Sequence, residues 1–207
     1  EPNERGLQLC GLLGVHPQPL AAPPLPDHLN QGVSANGDLQ GLDVVLDAAE
    51  MLLDQPKIKF VMVGGGPEWR RLCAAAGEQG LTNIQFVPLQ PIEKLPEMLA
   101  SADVHLIVQK SEAADIVMPS KLTNTLASGR PVIATATSGT ALADTVQQGS
   151  CGAVIPPEDP SALSAAIQQL AGSKQQLESL GISSRNYAEK NFCQDRIMPD
   201  SEKDLSA

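Results

Sequence analysis

A chain of 207 residues with 42% apolar side chains can bury one ordinary core, and a formal charge of −10 argues against a nucleic-acid backbone as partner. Aromatic residues make up only 2%, so recognition by ring stacking is not expected. No run of about 18 apolar residues occurs, so no membrane span is expected. The opening Glu-Pro-Asn-Glu-Arg does not read as a signal peptide, and Cys10, Cys73, Cys151 and Cys193 form no Cys-x-x-Cys pair. Both point to a cytoplasmic protein with reduced structural thiols.

Residues 1–36 are crowded with prolines (Pro2, Pro17, Pro19, Pro23, Pro24, Pro26) around one apolar run, LQLCGLLGV. They read as an irregular, Pro-rich arm. From residue 37 to 198 the pattern alternates. GLDVVLDAAEMLLD has apolar residues at helical spacing, and IKFVMVGGG is a strand ending in glycines. PEWRRLCAAAGEQG is a helix with a glycine stop, followed by the strand NIQFV. IEKLPEMLASA is a helix despite Pro96, and DVHLIV is a strand. VMPSKLTNTLASGRPVIATA is a helix with Pro119 at its start and Gly129 past its end, then a strand. SGTALADTVQQG and CGAVIP give a short helix and a strand, and DPSALSAAIQQLAG begins on an acidic cap followed by proline. A last helix, with a bend expected near Gly181, leads to a tail at 199–207. Strands separated by helices imply βαβ units. The fold class is therefore α/β, a doubly wound parallel sheet of Rossmann-like type with about six strands.

In such sheets ligands bind beyond the carboxyl ends of the strands. Two loops there stand out. Gly64, Gly65, Gly66 and Pro67 follow a strand and open a helix. This is either a plain glycine turn or a place where a backbone approaches a ligand and helix N–H groups meet an anion. It is neither Gly-x-Gly-x-x-Gly nor a Walker loop. The second loop leads to Ser120 and Lys121. A first helical turn carries partial positive charge and favours anions by roughly 0.3–1 kcal/mol, so a lysine there is misplaced unless an anion sits beside it. Ser120 would cap the helix or donate to that anion, and Lys121 would add a mobile point charge. The alternative is a surface lysine whose stem covers apolar area.

Other residues read more plainly. His105 is a strand histidine of the core, Met118 is packing, Arg70 and Arg71 lie on a solvated helix face, and Arg130 is a turn residue. No Asp-x-Asp is present to hold a metal, and Glu112–Asp115 is a solvated loop, so no metal site is expected. Nothing reads as a nucleophile or general base.

The stretches FVMVGGGPEWRRL, NIQFVPLQPIEKLPEMLASADVHLIVQ, VMPSKLTNTLASGRPVIATA and GAVIPPEDPSALSAAIQQL together resemble the carboxyl-terminal half of a family 4 retaining glycosyltransferase. The likeness is strongest to the colanic-acid-type, fucosyltransferase-like branch, and it covers residues 37 to 198. It implies one half of a two-domain GT-B arrangement that binds a GDP- or UDP-sugar as substrate, with no other cofactor, in polysaccharide or glycoconjugate synthesis. By this resemblance Gly37 belongs to a first phosphate-facing loop and Gly64 to Pro67 lie near the nucleotide. Backbone around Pro88, Leu89 and Gln90 meets the base. Ser120, Lys121 and Leu122 form the diphosphate-holding segment, Asn124 meets the ribose, and Lys121 stabilises the leaving diphosphate.

The chain departs from the family pattern in several places. Ile116 and Asn124 stand where the family carries a pair of glutamates, and Gln40 stands where many relatives carry a basic residue. The segment LNQGVSAN is a poor strand, so the first strand of the sheet is either absent or supplied by LQLCGLLGV. The resemblance also implies an acceptor glycan or lipid-linked sugar held by an amino-terminal domain, work at the inner face of a membrane, and no transfer by this chain alone. The alternatives are a non-catalytic nucleotide-binding relative serving an assembly, and a sugar-nucleotide epimerase-like domain.

Overall fold

The computed structural model describes residues 41–111 and 121–192 in full, and the backbone alone of residues 7–12 and 120. Its core is one six-stranded sheet. The strands are β1 (Leu7–Leu12), β2 (Ile58–Gly64), β3 (Ile84–Pro88), β4 (Val104–Ile107), β5 (Val132–Thr135) and β6 (Gly152–Ile155). Their order is β3-β2-β1-β4-β5-β6, and every pairing is parallel. The chain first builds outward from β1 to β3, then returns to the other side of β1 and builds outward to β6. That reversal puts a switch point between β1 and β4, where the connections leave in opposite directions and open a crevice.

Among the described residues seven α-helices accompany the strands: α1 (Asp43–Met51), α2 (Gly66–Glu78), α3 (Leu95–Ser101), α4 (Ser120–Ala127), α5 (Ala141–Gln148), α6 (Pro160–Ala171) and α7 (Lys174–Asn191). Alternating strand residues divide the core between two faces. Phe60, Met62, Leu106 and Ile133 pack with Leu46 of α1, Leu72 of α2 and Leu163 of α6. On the other face Ile107, Val132 and Ala134 pack with Leu122 and Leu126 of α4 and Leu142 of α5, while Val63 packs with Leu99 of α3. Each fully buried Leu, Phe or Met side chain contributes about 1.5–3 kcal/mol. The α/β, doubly wound class expected from the alternation is what forms.

Local signals explain most boundaries. Asp159 caps α6 by accepting from the Ala162 N–H at 2.9 Å, and Pro160 follows it. Pro96 sits in the first turn of α3, where its missing N–H has no partner to lose. Gly129 ends α4 at φ 70°, the left-handed conformation expected of it.

One expectation is corrected. Residues 7–12 are not part of an irregular arm. They are a central strand, paired with both β2 and β4, so LQLCGLLGV does supply the missing strand. A central strand of a parallel sheet reads as a largely apolar run, and here the surrounding prolines obscured it. The rest of the arm and the tail lie outside the described residues. Gly181 lies within α7, which runs unbroken from Lys174 to Asn191. Its role is close approach, since a β-carbon there would stand 2.5 Å from the Gly129 carbonyl oxygen.

Candidate functional site

The carboxyl edge of the sheet carries the glycine loop, the Pro88–Gln90 segment and the start of α4. Gly64 closes β2 opposite Pro88 of β3. Gly65 then takes an extended conformation (φ −167°, ψ 177°) and caps α2 without a side chain. Gly66 begins α2 at φ 90°, with open space where a β-carbon would project. Such a φ strains any other residue, so the third glycine is required by the backbone turn itself. Pro67 follows in the first turn of α2. A β-carbon on Gly65 would lie 3.5 Å from Cδ1 of Leu89, so the exits of β2 and β3 form one surface. Leu89 is 43% exposed on it, and Gln90 folds back to donate from Nε2 to the Pro88 carbonyl at 2.9 Å. The glycine loop and the Pro88–Gln90 segment are thus brought together.

Lys121 lies two strands away, in the first turn of α4 beyond β4. Strands two apart in a sheet are separated by about 10 Å. That span suits a ligand with a base at one end and a charged group at the other better than it suits a bare phosphate. Lys121 is half-buried, and burial lowers its pKa to about 8. A partly desolvated ammonium is already costly, and the helix start raises the cost further. Asn124, at i+3 from Lys121, shares its face of α4 and is exposed. Leu122 points the other way. Its side chain is fully buried in the core, so whatever it offers a ligand comes from its backbone. Ser120 starts α4, but its side chain lies outside the described residues, as do Gly37, Gln40, Ile116, Met118, Pro119 and the Glu112–Asp115 loop.

The helix starts along this edge differ. Thr140 caps α5 and Asp159 caps α6 with their own side chains, whereas α1 and α2 have no side-chain cap. At α1 the Val44 and Val45 N–H groups bond instead to the carbonyls of Gly41 and Leu42, at 3.3 and 3.0 Å. Arg71 is held between Glu68 and Asp43, at 2.6 and 2.9 Å, and these partners raise its pKa. This bears out a solvated-face role for it.

Sequence reasoning missed the segment 109–111, which is fixed at three points. Thr135 exchanges two hydrogen bonds with the Gln109 backbone. The Lys110 stem lies across Gly41, just ahead of α1. Ser111 donates to Glu158 at 3.0 Å, and Glu158 itself stands at φ 58°. The only sequence signals were a hydroxyl residue closing β5 and a lysine shortly after β4.

His105 is a core histidine, as expected. It is 1% exposed, with Nε2 2.9 Å from the Leu99 carbonyl. Arg130 donates to the Ala100 carbonyl at 2.5 Å, in keeping with a turn residue. Cys73 and Cys151 are free thiols. A groove of about 540 Å³ lies at the opposite edge, between the starts of β4 and β5 and helix α7. Its arginines, Arg130 and Arg185, are bonded to the carbonyls of Ala100 and Ala127. The groove is remote from the glycine loop and Lys121. Among the described residues no helix is long and apolar enough to cross a membrane.

Comparison with known proteins places this edge in context. A family model described as "Glycosyl transferases group 1" matches residues 32–173. WcaI of Escherichia coli K12, named for a glycosyl transferase role in colanic acid biosynthesis, is 40% identical over 163 residues, which span 78% of this chain and 39% of WcaI. The chain therefore spans about two-fifths of the length of such relatives. Anabaena HepE, solved in complex with UDP, superposes with a TM-score of 0.69 at 14% identity, covering 91% of this chain and 45% of HepE. The carboxyl-terminal domain of LpcC, a group 1 family protein of Francisella tularensis, superposes with a TM-score of 0.63 at 14% identity, covering 92% of this chain and 87% of that domain. The fold is that of these glycosyl transferases. The non-catalytic and epimerase-like alternatives gain no support.

Proposed function

Because the chain belongs to the group 1 glycosyl transferases, we propose that its sheet is the donor-binding half of a retaining enzyme of polysaccharide or glycoconjugate synthesis. The observation that carries this reading is Lys121: a half-buried cation in the first turn of α4, on the same sheet edge as the Gly64–Pro67 loop. A nucleoside diphosphate-sugar lying along that edge would meet Pro88–Gln90 with its base, Asn124 with its ribose and Lys121 with its diphosphate. The UDP bound by HepE is in keeping with a donor of this class.

The chemistry follows from charge. When the bond between the sugar C1 and the phosphate oxygen breaks, negative charge grows on the departing diphosphate. A preorganised ammonium and helix N–H groups aimed there stabilise that charge, and the effect is large where water is excluded. Asn124 supplies neutral hydrogen bonds, which are weaker than those of a carboxylate. The acceptor, a glycan or lipid-linked sugar on the cytoplasmic side of a membrane, would be held by an amino-terminal domain across the cleft. Holding the two substrates in one geometry supplies roughly 7–11 kcal/mol of a barrier. Half a cleft supplies little of that, so this chain alone should transfer no sugar.

The test is calorimetric titration with UDP and GDP. Lys121→Ala is expected to weaken binding about ten- to hundredfold, the cost of one charge-assisted hydrogen bond. Asn124→Ala should cost less. Equal affinity in wild type and Lys121→Ala would remove the assignment of Lys121. Absence of binding by wild type, or sugar transfer by this chain alone, would overturn the reading as a donor half.

A further inference from the structure

The structure places a second lysine on this edge. Gly41 stands at φ 58°, and a β-carbon there would lie 2.8 Å from Cγ of Lys110, with Cδ and Cε also within 4 Å. The glycine thus leaves a bare shelf, and the Lys110 stem lies on it. Immediately beyond the shelf α1 begins, without a side-chain cap, its Val44 N–H bonded to the Gly41 carbonyl at 3.3 Å. The residue carrying this lysine is not on a loose loop. Its predecessor Gln109 is held by Thr135 at 2.8 and 2.9 Å, and its successor Ser111 is held by Glu158 at 3.0 Å.

Position matters as much as fixation. Lys110 follows β4, and Gly41 leads into α1, so their contact spans the crevice beside β1 where the strand order reverses. Lys121 stands at the far end of the β4–α4 connection, in the first turn of α4. A diphosphate carries more charge than one ammonium can balance.

We propose that Lys110 is a second cation of the diphosphate subsite, positioned by its contact with Gly41 and binding the phosphate farther from the nucleoside. This inference rests on the donor-binding reading above. The hydrogen bonds at Gln109 and Ser111 hold the backbone that carries Lys110 on both sides. Gly41 is then a specificity feature: a side chain at that position would displace the stem that aims the charge.

The experiment is titration of the full chain with UDP, GDP, UMP and GMP, in wild type, Lys110→Met and Lys121→Ala. Methionine keeps the stem on Gly41 and removes only the charge. UDP and GDP should bind Lys110→Met about tenfold more weakly, while UMP and GMP change less than about twofold. Unchanged diphosphate affinity in Lys110→Met, with Lys121→Ala still weakened, would overturn the role of Lys110 and leave the donor-binding reading standing. Equal losses for mono- and diphosphates would also overturn it, because a general distortion moves both. No nucleotide binding by wild type would overturn both readings.

Discussion

The hydroxyl of Thr135 accepts a hydrogen bond from the Gln109 N–H at 2.8 Å and donates one to the Gln109 carbonyl at 2.9 Å. One side chain at the end of β5 therefore satisfies both backbone groups of the residue that leaves β4. Thr135 is fully buried, so neither bond is replaced by water if it is lost. Thr135→Val keeps the shape and leaves two buried groups unpaired, each costing about 1–3 kcal/mol. Denaturant titration should show that loss, and nucleoside diphosphate affinity should fall with it, since Lys110 is the next residue. Thr135→Ser should restore most of both. Stability loss without a change in affinity would separate the brace from the site.

Lys121 predicts an unusual pH dependence of binding. With a pKa of about 8, lowered by burial, it carries charge at pH 7 and loses it as pH rises through 8. An ordinary lysine would stay charged until near pH 10.4. Diphosphate affinity should therefore fall between pH 7 and 9 in wild type and stay flat in Lys121→Ala. The stability trend has the opposite sign. The unfolded chain holds the proton to a higher pH than the folded one, so unliganded stability rises from about pH 8 to the ordinary lysine value of 10.5. Calorimetry in buffers of different ionisation enthalpy should also record proton uptake on binding near pH 8.

His105 should set part of the acid limit. Its pKa is lowered to about 4, chiefly by burial, against the partial support of the Leu99 carbonyl and with the Arg130 charge adding to the effect. Nδ1 is buried without a hydrogen-bond partner. Between pH 6.5 and 4 the unfolded chain binds a proton that the folded chain refuses, so stability is lost as pH falls through that range. His105→Gln keeps a donor for Leu99 and cannot titrate. Its unfolding midpoint should be lower at pH 7 but less steep below pH 6.5. An unchanged slope would place the acid sensitivity elsewhere.

Much of this was legible in the sequence for a physical reason: helix ends and strand exits are marked by residues with few conformational options. The glycines at 64–66, Pro96, Gly129 and Asp159 each announced a boundary that formed. Lys121 announced itself by standing where electrostatics disfavour it. What stayed hidden depends on tertiary contact. The Lys110 stem across Gly41 joins residues far apart in the chain, and no local pattern marks it. Thr135 looked like an ordinary β-branched strand residue, and its hydroxyl matters only because β4 lies beside β5. Leu122, grouped with Lys121 by motif, turned into the core because helical spacing sends neighbouring side chains in different directions.

The central position of β1 bears on how the molecule assembles. The β2–β3 pair and the β4–β5–β6 trio each join strands close in sequence, but within the sheet they are linked through residues 7–12, which pair Leu9 with both Phe60 and Val104. Such distant partners must find one another across long intervening chain, which slows folding. Until they do, β2 and β4 each present an unpaired edge, and open edges invite association between molecules. A version cut just before residue 32, where the family match begins, would keep every site element described here. It would lack the plank that joins the two halves. Size-exclusion chromatography should find it aggregated where the full chain is monodisperse, and adding back a peptide of residues 1–31 during refolding should rescue it.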